Sequence, residues 1–168
     1  MSIEIRHEAP TDVAAIHALT KGAFLNAPHT DHTDQFIVDA LRKAGGLSLS
    51  LVAECGDDIL GHVALSPVMI SDGSTGWYGL GPVSVVPRRQ GQGIGNRLIE
   101  SAMNWLREQG AAGCVVLGDP AYYARFGFKV EPAVILPGVP VEYFQALAFS
   151  SEMPSGNVTY HEAFNARA

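Results

Sequence analysis

The chain has 168 residues, of which 47% are hydrophobic and 17% charged, so it can bury a sizeable core and is not a disordered chain. Its formal net charge of −6 argues against a general nucleic-acid binder. No apolar run reaches the roughly 20 residues that cross a bilayer, and residues 1–10 lack the apolar region of a secretory signal. Cys55 and Cys114 lie in apolar segments, so we expect buried thiols in a cytoplasmic protein.

The N-terminal part of the chain predicts one strand and two helices. Residues 3–7 alternate between apolar and polar positions, which is typical of a strand. An apolar stripe with helical spacing follows Pro10 and predicts the first helix. A second helix is predicted from near Thr33 to Gly45, where glycine ends it. The polar residues 26–32 between the helices predict a loop.

The middle of the chain predicts an antiparallel meander of three strands. Residues 47–53, 59–70 and 76–86 are rich in apolar residues, and the turn signals at 56–58 and 71–74 separate them. The pairing of the first two as a hairpin follows from the short turn between them.

A strand–helix–strand unit follows the meander. Residues 94–109 have a helical period, and the apolar run 113–117 predicts a short strand that is buried on both faces and parallel to its neighbour. The crossover between the two strands is expected to be right-handed. These elements together predict the α/β (α+β) fold class.

The rest of the chain carries weaker patterns and no internal repeat. They predict a short helix at 121–126, a strand at 128–130, a loop at 132–140, and segments that are edge strands or irregular arms at 143–149 and 157–161.

Residues 77–96 combine a strand, a glycine-rich turn and the start of a helix. The strand pattern stops at Pro87, and the residues before the helix are first basic and then glycine-rich: Arg88, Arg89, Gly91, Gly93 and Gly95. The first turn of a helix presents amide N–H groups at the positive end of its macrodipole, which suits a phosphate. Glycines lack a Cβ, so a diphosphate could approach the backbone closely. The alternative is a turn that only lets the helix pack tightly on a sheet.

Two better-known phosphate motifs do not fit this stretch. A dinucleotide fingerprint needs its glycines directly after the first strand of a βαβ unit, whereas this run follows an antiparallel meander. A P-loop needs a Gly-Lys-Ser/Thr sequence, which does not follow here.

A second motif, LGDPAYYARFGF, occupies residues 117–128. The spacing Gln90-x-x-Gly93-x-Gly95 after a Val-x-Val strand resembles the acetyl-CoA signature of the GNAT acyltransferases, and Tyr123, four residues before Gly127, resembles the tyrosine of that family's later motif. The second motif is similar to that of the YhbS-like branch. The resemblance covers residues 3–130 in element order and is strong over 79–128.

The resemblance implies a fold, a domain organisation and a cofactor. It implies one GNAT domain over residues 1–168, with a core at 3–130 and a variable arm of C-terminal strands at 131–168. The expected central sheet is mixed, has about six to seven strands and is flanked by helices. Two parallel strands of this sheet are expected to splay and leave a wedge for acetyl-CoA. The pantetheine arm would lie along the strand before the glycine turn, and the diphosphate would lie on the turn itself. The resemblance thus assigns the following residues to cofactor binding: Val83, Ser84, Val85, Arg88, Arg89, Gln90, Gly91, Gln92, Gly93, Ile94, Gly95, Asn96 and Tyr123.

The implied chemistry is the attack of an amine on a thioester, which needs an acid and a base. A tyrosine with a pKa near 10 suits the protonation of a thiolate, and its spacing favours Tyr123 as that acid. Glu54 is taken as the base, with His62 on the same predicted hairpin as an alternative. No metal is expected, because His29 and His32 lie in a polar loop without a fixed scaffold of ligands.

The function predicted from the sequence is therefore N-acetyl transfer from acetyl-CoA to a primary amine, by direct attack in a ternary complex. The acceptor is a small molecule or a peptide, with no nucleic-acid or membrane partner, and the protein is a monomer or a homodimer. The first alternative is a non-catalytic acyl-CoA-binding module on the same fold. The second is a nucleotide-binding Rossmann domain, which would need an all-parallel sheet.

Overall fold

The computed structural model describes residues 2–25 and 32–167. The chain forms two compact units. The first comprises Met1–Leu65, Gly81–Met103 and Glu162–Ala168, and the second comprises Ser66–Leu80 and Asn104–His161. The organisation as one domain, with a core at 3–130 and a variable arm, stays a prediction.

The elements follow the order that the sequence predicts, with additions near the C-terminus. The strands are β1 (Glu4–His7), β2 (Leu49–Cys55), β3 (Asp58–Ile70), β4 (Trp77–Val85), β5 (Gly113–Leu117), β6 (Val134–Ile135), β7 (Phe144–Ala148) and β8 (Gly156–Tyr160). The α-helices are α1 (Val13–Phe24), α2 (Asp34–Ala44), α3 (Ile94–Glu108) and α4 (Pro120–Tyr123).

The strands of the described residues form an eight-stranded mixed sheet. Its order is β1-β2-β3-β4-β5-β7, with β8 paired to β3 and β6 paired to β8. The pairs β1–β2, β2–β3 and β5–β7 are antiparallel, whereas β4 and β5, which α3 connects, are parallel. The α/β (α+β) class and the strand–helix–strand unit are thereby confirmed. Because most of these pairs are antiparallel, the sheet is not that of a Rossmann domain.

In the first unit, helices cover both faces of the β2–β3 hairpin. Val52 of β2 packs in a buried cluster with residues of α1 and α2. Its neighbour Ala53 points to the opposite face, where it pairs in register with Gly61 of β3. A Cβ at Gly61 would lie 2.9 Å from Leu98 and 3.0 Å from Ile94, both on α3. The absence of a side chain at Gly61 therefore lets α3 lie directly on the strand.

In the second unit, an apolar cluster explains why the C-terminal segments are strands. Trp77 of β4, Val115 of β5, Phe144 of β7 and Val158 of β8 are buried in this cluster. The side chains of β7 and β8 contribute buried apolar area, so both segments join the sheet instead of forming irregular arms.

Two expectations for this part of the chain were wrong in detail. The segment at 128–130 is no strand, because only Lys129 pairs, with Ala146 as an isolated bridge, and Gly127 has a left-handed φ of 96° that breaks extended structure. The predicted loop at 132–140 contains the two-residue strand β6, held by pairing with β8. With the short strand β6 counted, the described sheet has eight strands, close to the expected number of about six to seven.

The tight contact at Gly61 predicts the effect of adding one methyl group. Gly61→Ala should lower the free energy of unfolding by about 1–3 kcal/mol, because the buried side chains of α3 would have to move. Gly22→Ala is the matched control, since Gly22 lies inside α1 and a Cβ there meets nothing within 4 Å. It should raise the free energy of unfolding by about 0.5–1 kcal/mol. Urea denaturation followed by circular dichroism measures both, and equal changes would contradict the packing described here.

Candidate active site

The turn between β4 and α3 depends on two left-handed glycines. Gly91 and Gly93 have φ angles of 78° and 83°, a conformation that costs other residues roughly 1–2 kcal/mol. A Cβ at either position would meet nothing within 4 Å, so the backbone conformation requires these glycines and the space beside them is open. Gly95 differs from them, because it lies in the first turn of α3.

The N-terminus of α3 follows this turn at once. The amide of Arg97 donates to the carbonyl of Gly93 at 3.1 Å, so the helical hydrogen bonds begin at the second of the two glycines. The helix is 15 residues long, and its macrodipole places partial positive charge at this end. Backbone groups at such an end are suited to an anion, and a diphosphate fits this chemistry.

Two side-chain hydrogen bonds form within the turn, one between side chains and one to the backbone. Arg89 Nε donates to Gln92 Oε1 at 2.9 Å, and Gln90 Nε2 donates to the carbonyl of Val85 at 3.1 Å. Arg88 is exposed. The structure thus gives Gln90 and Gln92 a role within the turn itself, and their contact with a cofactor stays a prediction.

The two parallel strands of the sheet pair over only a short distance. Residues 77–79 of β4 pair with residues 113–115 of β5, and the register ends there although β4 continues to Val85 and β5 to Leu117. This is the predicted splay of the parallel strands. A strand without a neighbour presents N–H and C=O groups in a row, which is how an extended amide chain can bind.

Within β4, the residues predicted to meet the pantetheine arm differ in exposure. Val83 and Val85 are half-buried, whereas Ser84 is buried and its Oγ has no hydrogen-bond partner among the described residues. The Gly81–Pro82 peptide bond that precedes them is cis.

The second motif forms a short, capped helix. Asp119 Oδ1 accepts a hydrogen bond from the amide of Ala121 at 2.9 Å, and Pro120 occupies the first helical position. The helix α4 ends at Tyr123, and a 3₁₀ turn carries the chain to Gly127. The arrangement explains the order of residues in this motif: a cap, a helix start, an aromatic turn and a glycine end.

Tyr123 is held by other aromatic rings and by a glycine. Its ring makes an edge contact with Phe128 at a centroid distance of 6.0 Å. A Cβ at Gly118 would lie 2.5 Å from Tyr123 Cε2, so the ring rests on the backbone there. Burial, with smaller contributions from Tyr122 and Asp119, raises the pKa of Tyr123 to about 12. The hydroxyl therefore stays protonated at neutral pH and is a weaker acid than its pKa near 10 predicts.

Tyr122, the residue before Tyr123, has a partly different set of neighbouring side chains. The guanidinium of Arg125 lies 4.5 Å from the centroid of its ring, and the ring makes an edge contact with Phe126. The two tyrosine rings contact each other and share Phe126, but Arg125 lies over the ring of Tyr122 whereas Phe128 contacts that of Tyr123. Tyr122 is therefore a control for Tyr123 with a similar place in the chain.

Glu54 forms an ion pair that the sequence does not predict. Its carboxylate accepts hydrogen bonds from Arg6 at 2.8 and 3.3 Å, and Arg6 also binds Asp12. The hydrogen bonds from Arg6 lower the pKa of Glu54, which keeps it ionised and reduces its affinity for a proton.

His62 belongs to a buried polar network in which the donor and the acceptor of each hydrogen bond can be assigned. Arg42 binds the carboxylate of Glu8 at 2.8 and 3.0 Å, and the Ser50 hydroxyl donates to the same carboxylate. Because the Ser50 proton is used in this way, His62 Nε2 must donate to Ser50 Oγ, at 2.7 Å. His62 Nδ1 then carries a lone pair, which finds no partner in residues 2–25 and 32–167.

The pKa shifts of Glu8 and His62 agree with this assignment of donors and acceptors. Burial opposes ionisation of Glu8, but the hydrogen bonds from Arg42 and Ser50 hold its pKa below the ordinary value. Burial lowers the pKa of His62 to about 4, against a smaller opposing effect of the Glu8 carboxylate. His62 is therefore neutral at physiological pH.

Some sequence expectations fall outside this description. His29 and most of the predicted loop at 26–32 lie outside the described residues. Elsewhere in the chain, no group of three or more His, Cys, Asp or Glu side chains is placed to hold a metal ion. Among the described helices, none is both long and apolar enough to cross a membrane.

One polar residue near Tyr123 was missed in the sequence. Gln145 is buried in β7, and its amide donates to the carbonyl of Gly118 at 3.0 Å. The available signal was a single amide within the otherwise apolar run of residues 144–149. A polar side chain in a buried strand usually has a specific partner.

Comparisons with known proteins agree with this geometry. Residues 13–128 match the Acetyltransferase (GNAT) family. The N-acetyltransferase YhbS of Escherichia coli is 35% identical over 169 residues, which cover 96% of this chain and 98% of that protein. A structure of the same protein with CoA aligns with a TM-score of 0.89 at 33% identity, covering 99% of this chain and 93% of the other. A GNAT acetyltransferase from Brucella melitensis, solved with acetyl-CoA, aligns with a TM-score of 0.87 at 50% identity, covering 97% and 98%.

The fold and the family match define an acyltransferase. The chain belongs to the GNAT family of acetyltransferases, as the match over most of its length and the identity to full-length relatives show.

The lowered pKa of His62 predicts a pH dependence of stability. The folded pKa of about 4 lies below the unfolded value near 6.5, so the unfolded state binds a proton first as the pH falls. The neutral His62 therefore makes its full contribution to the free energy of unfolding above pH 6.5, and this contribution is lost as the pH falls towards 4. From pH 7 to pH 4.5, His62→Gln should lose about 2–3 kcal/mol less free energy of unfolding than the wild type.

Urea denaturation at several pH values measures this difference. His7→Gln, which removes an exposed imidazole from β1, controls for the chemistry of the substitution. Parallel pH profiles of the wild type and His62→Gln would contradict a neutral, buried His62.

Proposed function

We propose that this protein transfers the acetyl group of acetyl-CoA to a primary amine, by direct attack in a ternary complex. The observation that carries the proposal is the turn with left-handed Gly91 and Gly93 at the N-terminus of α3. It has the chemistry of a diphosphate site, and relatives that align over nearly the whole chain hold acetyl-CoA or CoA.

The proposed cofactor site follows the chain from β4 into α3. The pantetheine arm would bond the backbone at Val83 and Val85, where β4 has passed the end of its pairing with β5. The diphosphate would lie on the amides of the turn, with Arg88 exposed and able to reach its oxygens. The hydrogen bonds within the turn support this assignment, because a turn that is already ordered loses less entropy on binding.

The proposed reaction balances with two proton movements. The amine nitrogen attacks the thioester carbon, the C–S bond breaks, and an amide and a CoA thiolate form. Tyr123 donates its phenolic proton to the thiolate and recovers one from water. A pKa of about 12 keeps this proton on the phenol at neutral pH and also makes Tyr123 a weaker acid towards a thiolate, so the transfer depends on the hydroxyl lying close to the charge that develops on sulfur.

Glu54 is the proposed base, either directly or through a water molecule. The ion pair with Arg6 keeps the carboxylate ionised, so it can accept the proton that the amine loses. The same ion pair weakens it as a base, and His62 remains the alternative because its Nδ1 is held as a proton acceptor.

The proposed acceptor is a primary amine of a small molecule or a peptide. The net charge of −6 is compatible with a cationic amine. We propose the cytoplasm as the compartment, which fits a chain whose two cysteines form no disulfide. A monomer or a homodimer would serve this reaction equally.

The cofactor assignment predicts that Gly93→Ala weakens acetyl-CoA binding by about tenfold or more, because the turn must leave its left-handed conformation. Gly138→Ala is the matched control: Gly138 has a φ of 84° and open space around its Cβ, but lies in the segment before β7. Gly138→Ala should lower the free energy of unfolding by a similar amount and leave the affinity for acetyl-CoA unchanged. Calorimetry with acetyl-CoA, NAD and ATP measures this, and tighter binding of NAD or ATP would overturn the assignment.

The acid assignment predicts that Tyr123→Phe lowers kcat about a hundredfold or more and leaves the Kd for acetyl-CoA within twofold. Tyr122→Phe is the control and should keep most of the turnover, since its ring packs against Arg125. A thiol-release assay over a panel of primary amines gives both values, and Glu54→Gln in the same assay tests the base. Wild-type turnover in Tyr123→Phe would remove this hydroxyl from the reaction.

A further inference from the structure

Gln145 is a buried amide in an apolar strand. It is 2% exposed and lies opposite Val116 in the antiparallel pairing of β7 with β5. Its neighbours in β7, Phe144 and Ala146, are buried in the apolar cluster of the second unit. Such a position favours an aliphatic side chain unless the amide has a task.

Both hydrogens of this amide are used on backbone carbonyls. Gln145 Nε2 donates to Gly118 at 3.0 Å and to Glu142 at 3.3 Å. Because both partners are acceptors, the nitrogen must face them, and the orientation of the amide is fixed. Its Oε1 is buried and finds no hydrogen-bond partner in the described part of the chain. The side chain is thus bound through its NH₂ group alone.

The carbonyl that Gln145 holds belongs to the residue on which Tyr123 rests. Gly118 is fixed on both sides of its backbone, because its amide donates to Tyr143 at 2.8 Å and its carbonyl accepts from Gln145. The ring of Tyr123 lies so close to its Cα that a Cβ would come within 2.5 Å of Cε2. A shift of the Gly118 backbone would therefore move the ring.

We propose that Gln145 is a positioning residue that sets the place of the Tyr123 hydroxyl through the backbone of Gly118. The inference rests on the proposed role of Tyr123 as the acid. Gln145 itself does not touch the reacting atoms. When its NH₂ group is lost, Gly118 can move away from β7, and the tyrosine ring loses the surface that defines its position.

Gln145→Met removes the NH₂ donor together with the buried oxygen that has no partner. Because the carbonyls of Gly118 and Glu142 lose their donor, the free energy of unfolding should fall by about 1–3 kcal/mol. Turnover should also fall about ten- to a hundredfold, because a misplacement near 1 Å in a catalytic group has an effect of this size. The Kd for acetyl-CoA should stay within twofold.

Gln145→Glu provides a second test, in which the effect on kcat depends on pH. A carboxylate there would face two carbonyl oxygens in a buried place, so it should take up a proton more readily than an exposed glutamate. The protonated form can donate one hydrogen bond to Gly118. We expect kcat relative to the wild type to rise as the pH falls. Gln109→Glu, at an exposed position after α3, is the matched control and should follow the wild-type profile.

A double-mutant cycle with Tyr123→Phe decides the inference. If Gln145 acts through Tyr123, Gln145→Met should lower kcat in the wild type and have almost no further effect in Tyr123→Phe. An equal factor in both backgrounds, or no loss in the wild type, would overturn the inference while leaving the acid role of Tyr123 intact. Full turnover in Tyr123→Phe alone would overturn that role and this inference with it.

Gly118→Ala provides a second route if a Gln145 variant does not fold. It leaves the amide of Gln145 in place and displaces the ring directly, because the new Cβ occupies its space. The same loss of kcat, absent in the Tyr123→Phe background, would support the inference. An unchanged kcat in a folded Gly118→Ala protein would show that the contact does not position the hydroxyl.

Discussion

The left-handed backbone at Gly91 and Gly93 is the constraint on which the proposed acetyl-CoA site depends. It turns the chain within a few residues from the end of β4 into α3, so that the part of β4 beyond its pairing with β5 and a helix N-terminus follow one another directly. A side chain at either glycine would not clash with anything, and the requirement is purely conformational. The hydrogen bonds of Arg89 and Gln90 then hold this turn in one arrangement.

The second unit shows how packing places Tyr123, the residue that we propose as the acid. Its ring is fixed by contact with Gly118 and Phe128 and by the short helix that Asp119 caps. Burial in this setting makes the phenol a weaker acid. The gain is orientation, since a ring held on two sides has little freedom to rotate away.

What the sequence predicts here follows from local chemistry. The glycine turn, the cap at Asp119 and the helix periods depend on neighbouring residues, and they are visible as spacing. The ion pair of Arg6 with Glu54 and the bond from Gln145 to Gly118 join residues 48 and 27 positions apart. No spacing rule reports such partners, because the register of strands decides which distant residues meet.

The short strands of the C-terminal segment show the same limit in another form. Residues 144–148 and 156–160 have ordinary apolar content, and only their place in the cluster around Trp77 makes them strands. A two-residue strand such as β6 exists because β8 lies beside it. Pairing supplied by a neighbour thus overrides a proline-rich local sequence.

The network around Glu8 has a consequence for how the first unit is held together. Arg42 from α2, Ser50 from β2 and, through Ser50, His62 from β3 all direct their protons towards one carboxylate. A single anion thus holds three elements together through hydrogen-bond donors, much as a bound metal cation holds its ligands together through lone pairs. Without the Glu8 carboxylate, the hydrogen-bond donors of α2, β2 and β3 would face one another and would have no common acceptor.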